Sequence, residues 1–388
     1  MAAPWRALWR ALLRPRGPRA EPGGRRGVRA LRRSPVRVLQ PQSPREQPPP
    51  PPPPPPAVER GAAAPGLWYE KAAAGDRRLG KVVTIAKSKK FRDNHGKVLL
   101  EGHRLIKDAL EAGAVPQTLF FSTVRHLKLL PEAEIKRASL VKVKFEDIKT
   151  WSDLVTPQGL LGIFSKPDPA KMSYPAAQLA NSLPLLLICD NIRDPGNLGT
   201  ILRSAAGAGC EKVLLTKGCV DPWEPKVLRA GMGAHFRVPI VGSLDWDSVP
   251  TNLPAGTQVC VADNNAPSSS SLPRGAASAP VKPSPRAAPE HEDEEGAAIP
   301  ELAVQHYYED WAKAPVAVVV GGETQGLSPA ALGLAASTGG RRLLIPVVPG
   351  VDSLNSAIAA GILLFEGRRQ LLCRHKQEDG RHKLPVPG

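Results

Sequence analysis

The chain has little cysteine, and what it has is scattered. Five cysteines in 388 residues, at positions 189, 210, 219, 260 and 373, form no CxxC pair and no cysteine–histidine spacing of the zinc type. This argues against a disulfide framework or structural metal, so no metal is expected, and it accords with a reducing compartment. Cys189 and Cys260 fall inside apolar strands and are expected in the core. Long apolar runs are also missing, and no stretch reaches the length that spans a bilayer. Nucleotide fingerprints are absent too. The glycine cluster at 321–326, GGETQG, lacks the Gly-Lys-Ser/Thr ending of a P-loop and the spacing of GxGxxG, which argues against a dinucleotide enzyme.

Acidic residues are nearly absent from the first 46 positions. There, twelve arginines face only Glu21 and Glu46, so +10 of the formal charge of +16 lies in this segment. In WRALWRALLR, helical spacing gathers Trp5, Leu8, Trp9, Leu12 and Leu13 on one face, while Arg6, Arg10 and Arg14 recur every fourth residue on another. An Arg-rich, acid-poor amphipathic start without a long hydrophobic region is the pattern of a mitochondrial transit peptide. A basic arm that touches nucleic acid directly is the competing reading. Residues 1–46 are expected to be the presequence of a mitochondrial matrix protein, and 47–79, with prolines 48–56, an extended linker.

Residues 80–168 read as a small basic α/β module. GHRLIKDALEAG has a helical apolar face of Leu105, Ile106, Ala109 and Leu110 and a stop at Gly113, whereas LFFS, LVKVKF and the end of TPQGLLGIFSK read as strands. Basic residues are interleaved here: Lys81, Lys87, Lys89, Lys90, Arg92, Lys97, Arg104 and Lys107. Lys87, Lys89, Lys90 and Arg104 are the candidate contacts to RNA phosphates, and an ordinary solvated surface is the alternative. Residues 169–183 read as a second linker. From 184 to 388, strands alternate with helices, which implies a largely parallel sheet covered on both faces. The Ser-, Pro- and Ala-rich stretch 264–300, ending in EHEDEE, is expected to be a disordered insertion.

Three blocks follow strand-like runs in this second part: DNIRDPGNLGTILRSAAGAG (190–209), VVVGGETQGLSP (318–329) and IPVVPGVDSLNSAIAAG (345–361). Loops leaving the carboxyl ends of strands are where open α/β sheets bind ligands, so the three are expected to wall one site. In the first, Asp194-Pro195-Gly196 turns into a helix that carries Asn197 and then Arg203, whose fork of donors suits a phosphate. In the second, Gly321, Gly322 and Gly326 bracket Glu323 and would let backbone lie against a flat ligand. In the third, Ser353 stands at an N-cap position with Asn355 in the first turn of a long helix. Leu354, Ile358, Ile362 and Phe365 follow at helical spacing and are expected to be buried, at least in part across a dimer interface. Taken singly each block has a simpler explanation: a turn or cap for Asn197, Glu323 and Ser353, and a surface ion pair for Arg203.

As an ordered set, the blocks resemble the three motifs of the SpoU/TrmH family of RNA 2′-O-ribose methyltransferases, within the SPOUT superfamily. LRAGMGAHFRVPI is also similar to the family, and EGHRLIKDAL with TPQGLLGIF resembles the substrate-binding domain that often precedes it. The resemblance implies a trefoil-knotted, α/β methyltransferase domain with a largely parallel sheet, S-adenosyl-L-methionine as cofactor, and a homodimer whose active site joins two subunits. Threading of that kind breaks the usual rule against threaded loops, and no periodicity reveals it. The family's catalytic positions fall on Asn197, Arg203, Glu323, Ser353 and Asn355, and its cofactor contacts on Gly321, Gly322, Ile345 and Leu354. With the presequence, the implied reaction is methylation of a ribose 2′-hydroxyl, of a guanosine, in mitochondrial large-subunit rRNA, in support of ribosome biogenesis. The alternative is a non-catalytic rRNA-binding assembly factor on the same fold. Two departures stand out: Val347 where Met often follows Ile-Pro, and Ser356-Ala357 in place of the more usual Val-Ser.

Overall fold

Apolar runs and helical periodicities resolve into two sheets in the computed structural model, which describes residues 60–64, 67–73, 76–152, 157–264, 301–323 and 326–382. The presequence 1–46, prolines 48–56 and all of the 264–300 insertion beyond Asn264 lie outside the described residues. The first module runs β1 (Arg60–Ala64), β2 (Leu67–Lys71), α1 (Arg77–Lys87), α2 (Lys89–His95), β3 (Lys97–Glu101), α3 (His103–Glu111), β4 (Pro116–Phe121), α4 (Glu132–Ile135), β5 (Ser139–Lys142), α5 (Phe145–Trp151) and β6 (Leu160–Ser165). Its six-stranded mixed sheet has the order β1-β2-β5-β4-β6-β3.

The linker expected over 47–79 is therefore a correction. Residues 60–71 form two strands, and β2 joins the sheet through a parallel pairing with β5. Alanine-rich β1 shows no alternation because its pairing rests on backbone hydrogen bonds to β2, while Leu67 is buried and the Tyr69 ring meets Phe121 edge-on at 5.5 Å.

After α6 (Ala176–Ala180), the second module runs β7 (Leu183–Asp190), α7 (Pro195–Ala208), β8 (Cys210–Thr216), α8 (Pro225–Gly231), β9 (Ile240–Leu244), β10 (Gln258–Ala262), β11 (Val304–His306), β12 (Val316–Gly321), α9 (Pro329–Ser337), β13 (Arg342–Leu344) and α10 (Ser356–His382). The sheet order is β11-β13-β10-β12-β7-β8-β9, and every pair in it is parallel. Strands buried on both faces read as unbroken apolar runs, which is why LPLLLIC and PVAVVV show no alternation. Cys189 and Cys260 are fully buried, as expected. Burial pushes both thiols up, Cys189 well above the usual cysteine range, so neither offers a thiolate.

The winding reverses between β7 and β12. From β7 the chain proceeds outward to β8 and β9, then returns to the other side through β10 and β12. In open parallel sheets the ligand crevice lies at such a switch point, outside the carboxyl ends of the two strands. In register, Asp190 ends β7 directly opposite Gly321 at the end of β12. The first two sequence blocks thus begin side by side.

The modules share a core instead of being joined by a loose tether. Trp223, Leu228 and Phe236 of the second pack in one buried cluster with Leu100, Ile106, Leu110 and Phe164 of the first. Arg92, one of the basic residues interleaved in the first module, is only 2% exposed. Its guanidinium grips Asp221 across the seam, with Nε and Nη2 each 2.7 Å from Oδ2. Its third nitrogen donates to the carbonyls of Ile85 and Ala86 at 2.8 and 2.9 Å. In the stretch expected to be a plain linker, Ser173 N donates to Ala112 O at 3.0 Å and Gln178 Nε2 to Ala206 O at 2.9 Å, one contact to each module.

Candidate active site at the switch point

Asp190 anchors the site from below. Its carboxylate is 2% exposed and receives the Ser328 amide at 2.7 Å and the Thr216 hydroxyl at 3.4 Å, while its carbonyl accepts Gly322 N at 3.0 Å. This residue ties the 322–328 loop to β7 and β8. Asp190 opens the first sequence block, but its role depends on partners far along the chain. Asp194 then caps α7, accepting Asn197 N at 2.7 Å, with Pro195 at the first helical position, where a missing N–H costs nothing.

Above this floor, three side chains from the three blocks meet. Asn197 Nδ2 donates to Glu323 Oε1 at 2.8 Å; Asn355 Nδ2 donates to the same oxygen at 2.5 Å and to Asn197 Oδ1 at 3.0 Å. The Ser356 amide lies 3.4 Å from Glu323 Oε1 as well. Glu323 does not merely cap a turn: its carboxylate collects donors from two other segments of the chain. Charge-assisted hydrogen bonds of this kind are about twice as strong as neutral ones and fix the geometry of both amides.

The helix start is a correction. α10 begins at Ser356, not directly after Ser353, and Asn355 Oδ1 is the capping acceptor, taking Ala357 N at 3.0 Å and Ile358 N at 3.3 Å. Asn355 therefore spends its oxygen on the helix and its nitrogen on Glu323. Ser353 is exposed on the loop ahead of it. Arg203 does not join the cluster. It is exposed on α7, six residues beyond Asn197 and so on another helical face, and makes no hydrogen bond or ion pair among the described residues.

Two cavities flank the cluster. One, of about 520 Å³, is lined by all four expected cofactor residues, Gly321, Gly322, Ile345 and Leu354, together with Ser353. The other, of about 340 Å³, is lined by Asn191, Arg193, Asp194 and Asn197. Gly322, Glu323 and Ser356 belong to both and form the partition. The glycines line the cavity and also permit a close passage of the chain. A Cβ on Gly321 would come within 2.5 Å of Gly326 O, and one on Gly322 within 2.5 Å of Asn191 O. They allow the chain to pass closely over itself; the cavity is a consequence. Its walls mix apolar Val320, Leu327, Leu343, Ile345 and Leu354 with polar Asn264 and Asp352, and its volume falls in the range of small-molecule sites, so it fits a nucleoside-sized ligand with one polar end.

Within a single chain, α10 turns only part of the expected stripe inward. Its buried face consists of Ala357, Ala360, Leu363, Leu364 and Leu371, whereas Ile358 and Phe365 are 54% and 51% exposed. Lys87, Lys89, Lys90 and Arg104 are all exposed, at the end of α1, the start of α2 and the first turn of α3. Among the described residues, no three His, Cys, Asp or Glu side chains gather in a way that could hold a metal ion, and no helix is long and apolar enough to cross a membrane.

This α/β fold with its parallel sheet is that of the SpoU/TrmH SPOUT methyltransferases. Residues 184–365 match the SpoU rRNA methylase family and residues 81–162 the MRM3-like substrate binding domain. The chain is 57% identical to the human mitochondrial rRNA methyltransferase 3 over 388 aligned residues, covering 92% of each. Among solved structures, the AdoMet-bound rRNA methyltransferase from Sinorhizobium meliloti superposes with a TM-score of 0.57 at 27% identity, over 78% of this chain and 98% of that one. An RNA 2′-O ribose methyltransferase superposes at 0.53 with 25% identity, over 78% and 98%. The chain belongs to the SpoU rRNA methylase family.

Proposed function

We propose that the protein is an S-adenosylmethionine-dependent rRNA methyltransferase of mitochondria, acting on a ribose 2′-hydroxyl, of a guanosine, in large-subunit rRNA in support of ribosome biogenesis. The observation that carries this reading is the Asn197–Glu323–Asn355 cluster on the partition between two cavities, the larger of which gathers Gly321, Gly322, Ile345 and Leu354. The human relative's name supports rRNA and mitochondria, and the second structural neighbour's title supports the 2′-oxygen. An assembly factor without activity has no need for an oriented carboxylate facing two cavities.

Bound S-adenosylmethionine would supply a methyl group on positively charged sulfur, its carbon–sulfur bond breaking with the electron pair to sulfur as the ribose oxygen bonds to carbon and the hydroxyl proton passes to solvent. In-line displacement depends on alignment, so positioning supplies much of the rate. Gly321, Gly322, Ile345 and Leu354 hold the cofactor, and Glu323 locks the amides of Asn197 and Asn355 at the partition. Arg203 binds the phosphate beside the acceptor ribose and stabilises the developing alkoxide; guanidinium stays protonated and is no base by itself. Ser353, on the exposed loop lining the larger cavity, contacts the cofactor. Lys87, Lys89, Lys90 and Arg104 hold RNA phosphates.

The working unit is a homodimer. Ile358, Phe365 and Leu372 recur every seven residues along α10 and are 54%, 51% and 37% exposed, an apolar stripe that a second copy would cover. The test is mapping of 2′-O-methyl groups in mitochondrial large-subunit rRNA with and without the protein. One site lost in its absence supports the reading; an unchanged map overturns it.

A further inference from the structure

A third cavity, of about 200 Å³, lies at the seam of the two modules and shares no lining residue with the two beside the partition. The first module walls it with Leu99 and Glu101 of β3, Arg104 and Leu105 of α3, Trp151 at the end of α5 and Gln158 ahead of β6. The second module contributes one face of α8. Pro225, Leu228 and Arg229, with Met232 just beyond the helix, recur there at helical spacing, while Val227 and Ala230 turn toward α7. A Cβ on Gly199 would come within 2.6 Å of the Val227 carbonyl oxygen, so α7 and α8 touch closely. Only the width of α8, about 10 Å, thus separates the cavity from the helix that carries Asn197.

The walls have the chemistry of a nucleobase site. Leu99, Leu105 and Leu228 make the interior apolar, and Phe120 buttresses the partly buried Trp151 ring edge-on at 6.3 Å. Two polar groups are held in place. The Ser152 hydroxyl donates to the Glu101 carboxylate, and Gln158 Oε1 accepts the His103 amide at 2.9 Å, which leaves Gln158 Nε2 without a partner among the described residues. At the mouth Arg104 and Arg229 are exposed, and Arg104 makes no hydrogen bond or ion pair among the described residues. Met232 stands there too, 45% exposed and at φ 48°, a backbone region that residues other than glycine rarely occupy and that is concentrated at ligand sites.

We propose that this seam cavity receives one unstacked base of the rRNA substrate, from a nucleotide near the one that is methylated. The proposal rests on the rRNA methyltransferase reading above and assigns a recognition site outside the reacting centre. Unpaired RNA is read by stacking on aromatic rings and by hydrogen bonds to base edges. Here Trp151 and Met232 cover the base, and Arg104 and Arg229 hold the phosphates at the mouth. Every base presents an N–H beside an acceptor, which Glu101 and Gln158 Nε2 can meet together. An apolar side chain of a protein partner would instead leave both polar groups unanswered. A base held between the modules also fixes how far the RNA reaches toward the switch point.

The test uses the full-length protein and a mitochondrial large-subunit rRNA fragment that it binds, remade with an abasic nucleotide at each unpaired position in turn. One position besides the methylated nucleotide should weaken equilibrium binding by about 5- to 100-fold when its base is removed, the loss expected for a stacked base. Leu105→Trp, which fills the cavity, should weaken binding of the intact RNA to a similar extent and should then be indifferent to that abasic change, because both changes remove one contact. Met232→Gly keeps the test sound if the larger side chain disturbs folding. It relieves the left-handed backbone, so its thermal midpoint should hold or rise, while intact RNA binds roughly three- to tenfold more weakly and the abasic effect shrinks. Both variants should bind S-adenosylmethionine within about twofold of wild type, since that cavity shares no residue with this one. The absence of any such position overturns the proposal, and so does a position whose effect is the same in wild type and both variants, which would put the base elsewhere. Binding is read without turnover, so a wild type that binds RNA and cofactor but transfers no methyl overturns the methyltransferase reading and leaves the abasic result to decide this one.

Discussion

Asn197 and Glu323 stand 126 positions apart in the chain, yet the Asn197 amide donates to the Glu323 carboxylate at 2.8 Å. The contact joins the helix after β7 to the loop after β12, and Asn355 completes it from the start of α10. Replacing Glu323 by Gln removes the charge and leaves two amide donors without their common carboxylate. Hydrogen bonds to charged groups contribute about 1.5–3 kcal/mol, so methyl transfer should fall by roughly 10- to 100-fold. Single-turnover kinetics with radiolabelled methyl donor measure this, and a rate within threefold of wild type would remove Glu323 from the site.

Arg92 and Asp221 form a buried pair that joins the modules. Arg92→Met leaves Asp221 charged and unpaired at 5% exposure and should cost about 3–5 kcal/mol, read as a fall in the denaturation midpoint. Pairing it with Asp221→Leu should recover part of that loss, because a well-packed apolar pair avoids the desolvation of two charges; recovery stays partial since Asp221 Oδ1 also accepts Trp223 N at 3.0 Å.

His235 makes stability depend on pH. It is 3% exposed, its Nε2 donates to the Pro222 carbonyl at 2.7 Å, and its Nδ1 has no partner among the described residues. Burial pushes its pKa down to about 4, against smaller raising effects from the Pro222 carbonyl and Asp221. The unfolded chain, titrating near 6.5, binds the extra proton first. Stability from this group is therefore full above about pH 6.5 and is lost as pH falls toward 4, on the order of 3 kcal/mol in all. His103 and His126 are also lowered, by burial first, and act in the same direction. Urea denaturation at pH 7 and pH 5 should show a smaller difference for His235→Gln than for wild type.

The stripe on α10 predicts assembly. Phe365→Glu places a charge in the middle of it and should shift the protein from dimer to monomer in sedimentation velocity. A variant that remains dimeric would place the interface elsewhere.

Much of this was legible in the sequence where the signal is local. Strands buried on both faces betray themselves as apolar runs, and Asp194-Pro195 marks the start of α7 because cap and first-turn preferences act within four residues. The convergence of the three blocks followed from their place after strands. What was not legible depends on partners distant in sequence. Alanine-rich β1 shows no pattern because only its pairing to β2 defines it. Arg92 resembles its exposed neighbours Lys89 and Lys90 until Asp221, 129 residues away, is seen against it. Ser353 and Asn355 are both good cap residues, and the choice between them is made by Glu323, which fixes the Asn355 amide and leaves its oxygen for the helix.

Arg203 tests the account most directly, since it lies outside the Asn–Glu–Asn cluster and carries the proposed stabilisation of developing charge. Single-turnover transfer of a labelled methyl group to a mitochondrial large-subunit rRNA transcript should be detectable with wild type and confined to a ribose 2′-oxygen. With Arg203→Ala it should fall by about 100-fold or more, the loss expected for a group that stabilises developing charge, while S-adenosylmethionine binding is retained. Near-normal transfer by the variant, or none by wild type with both ligands bound, would contradict it.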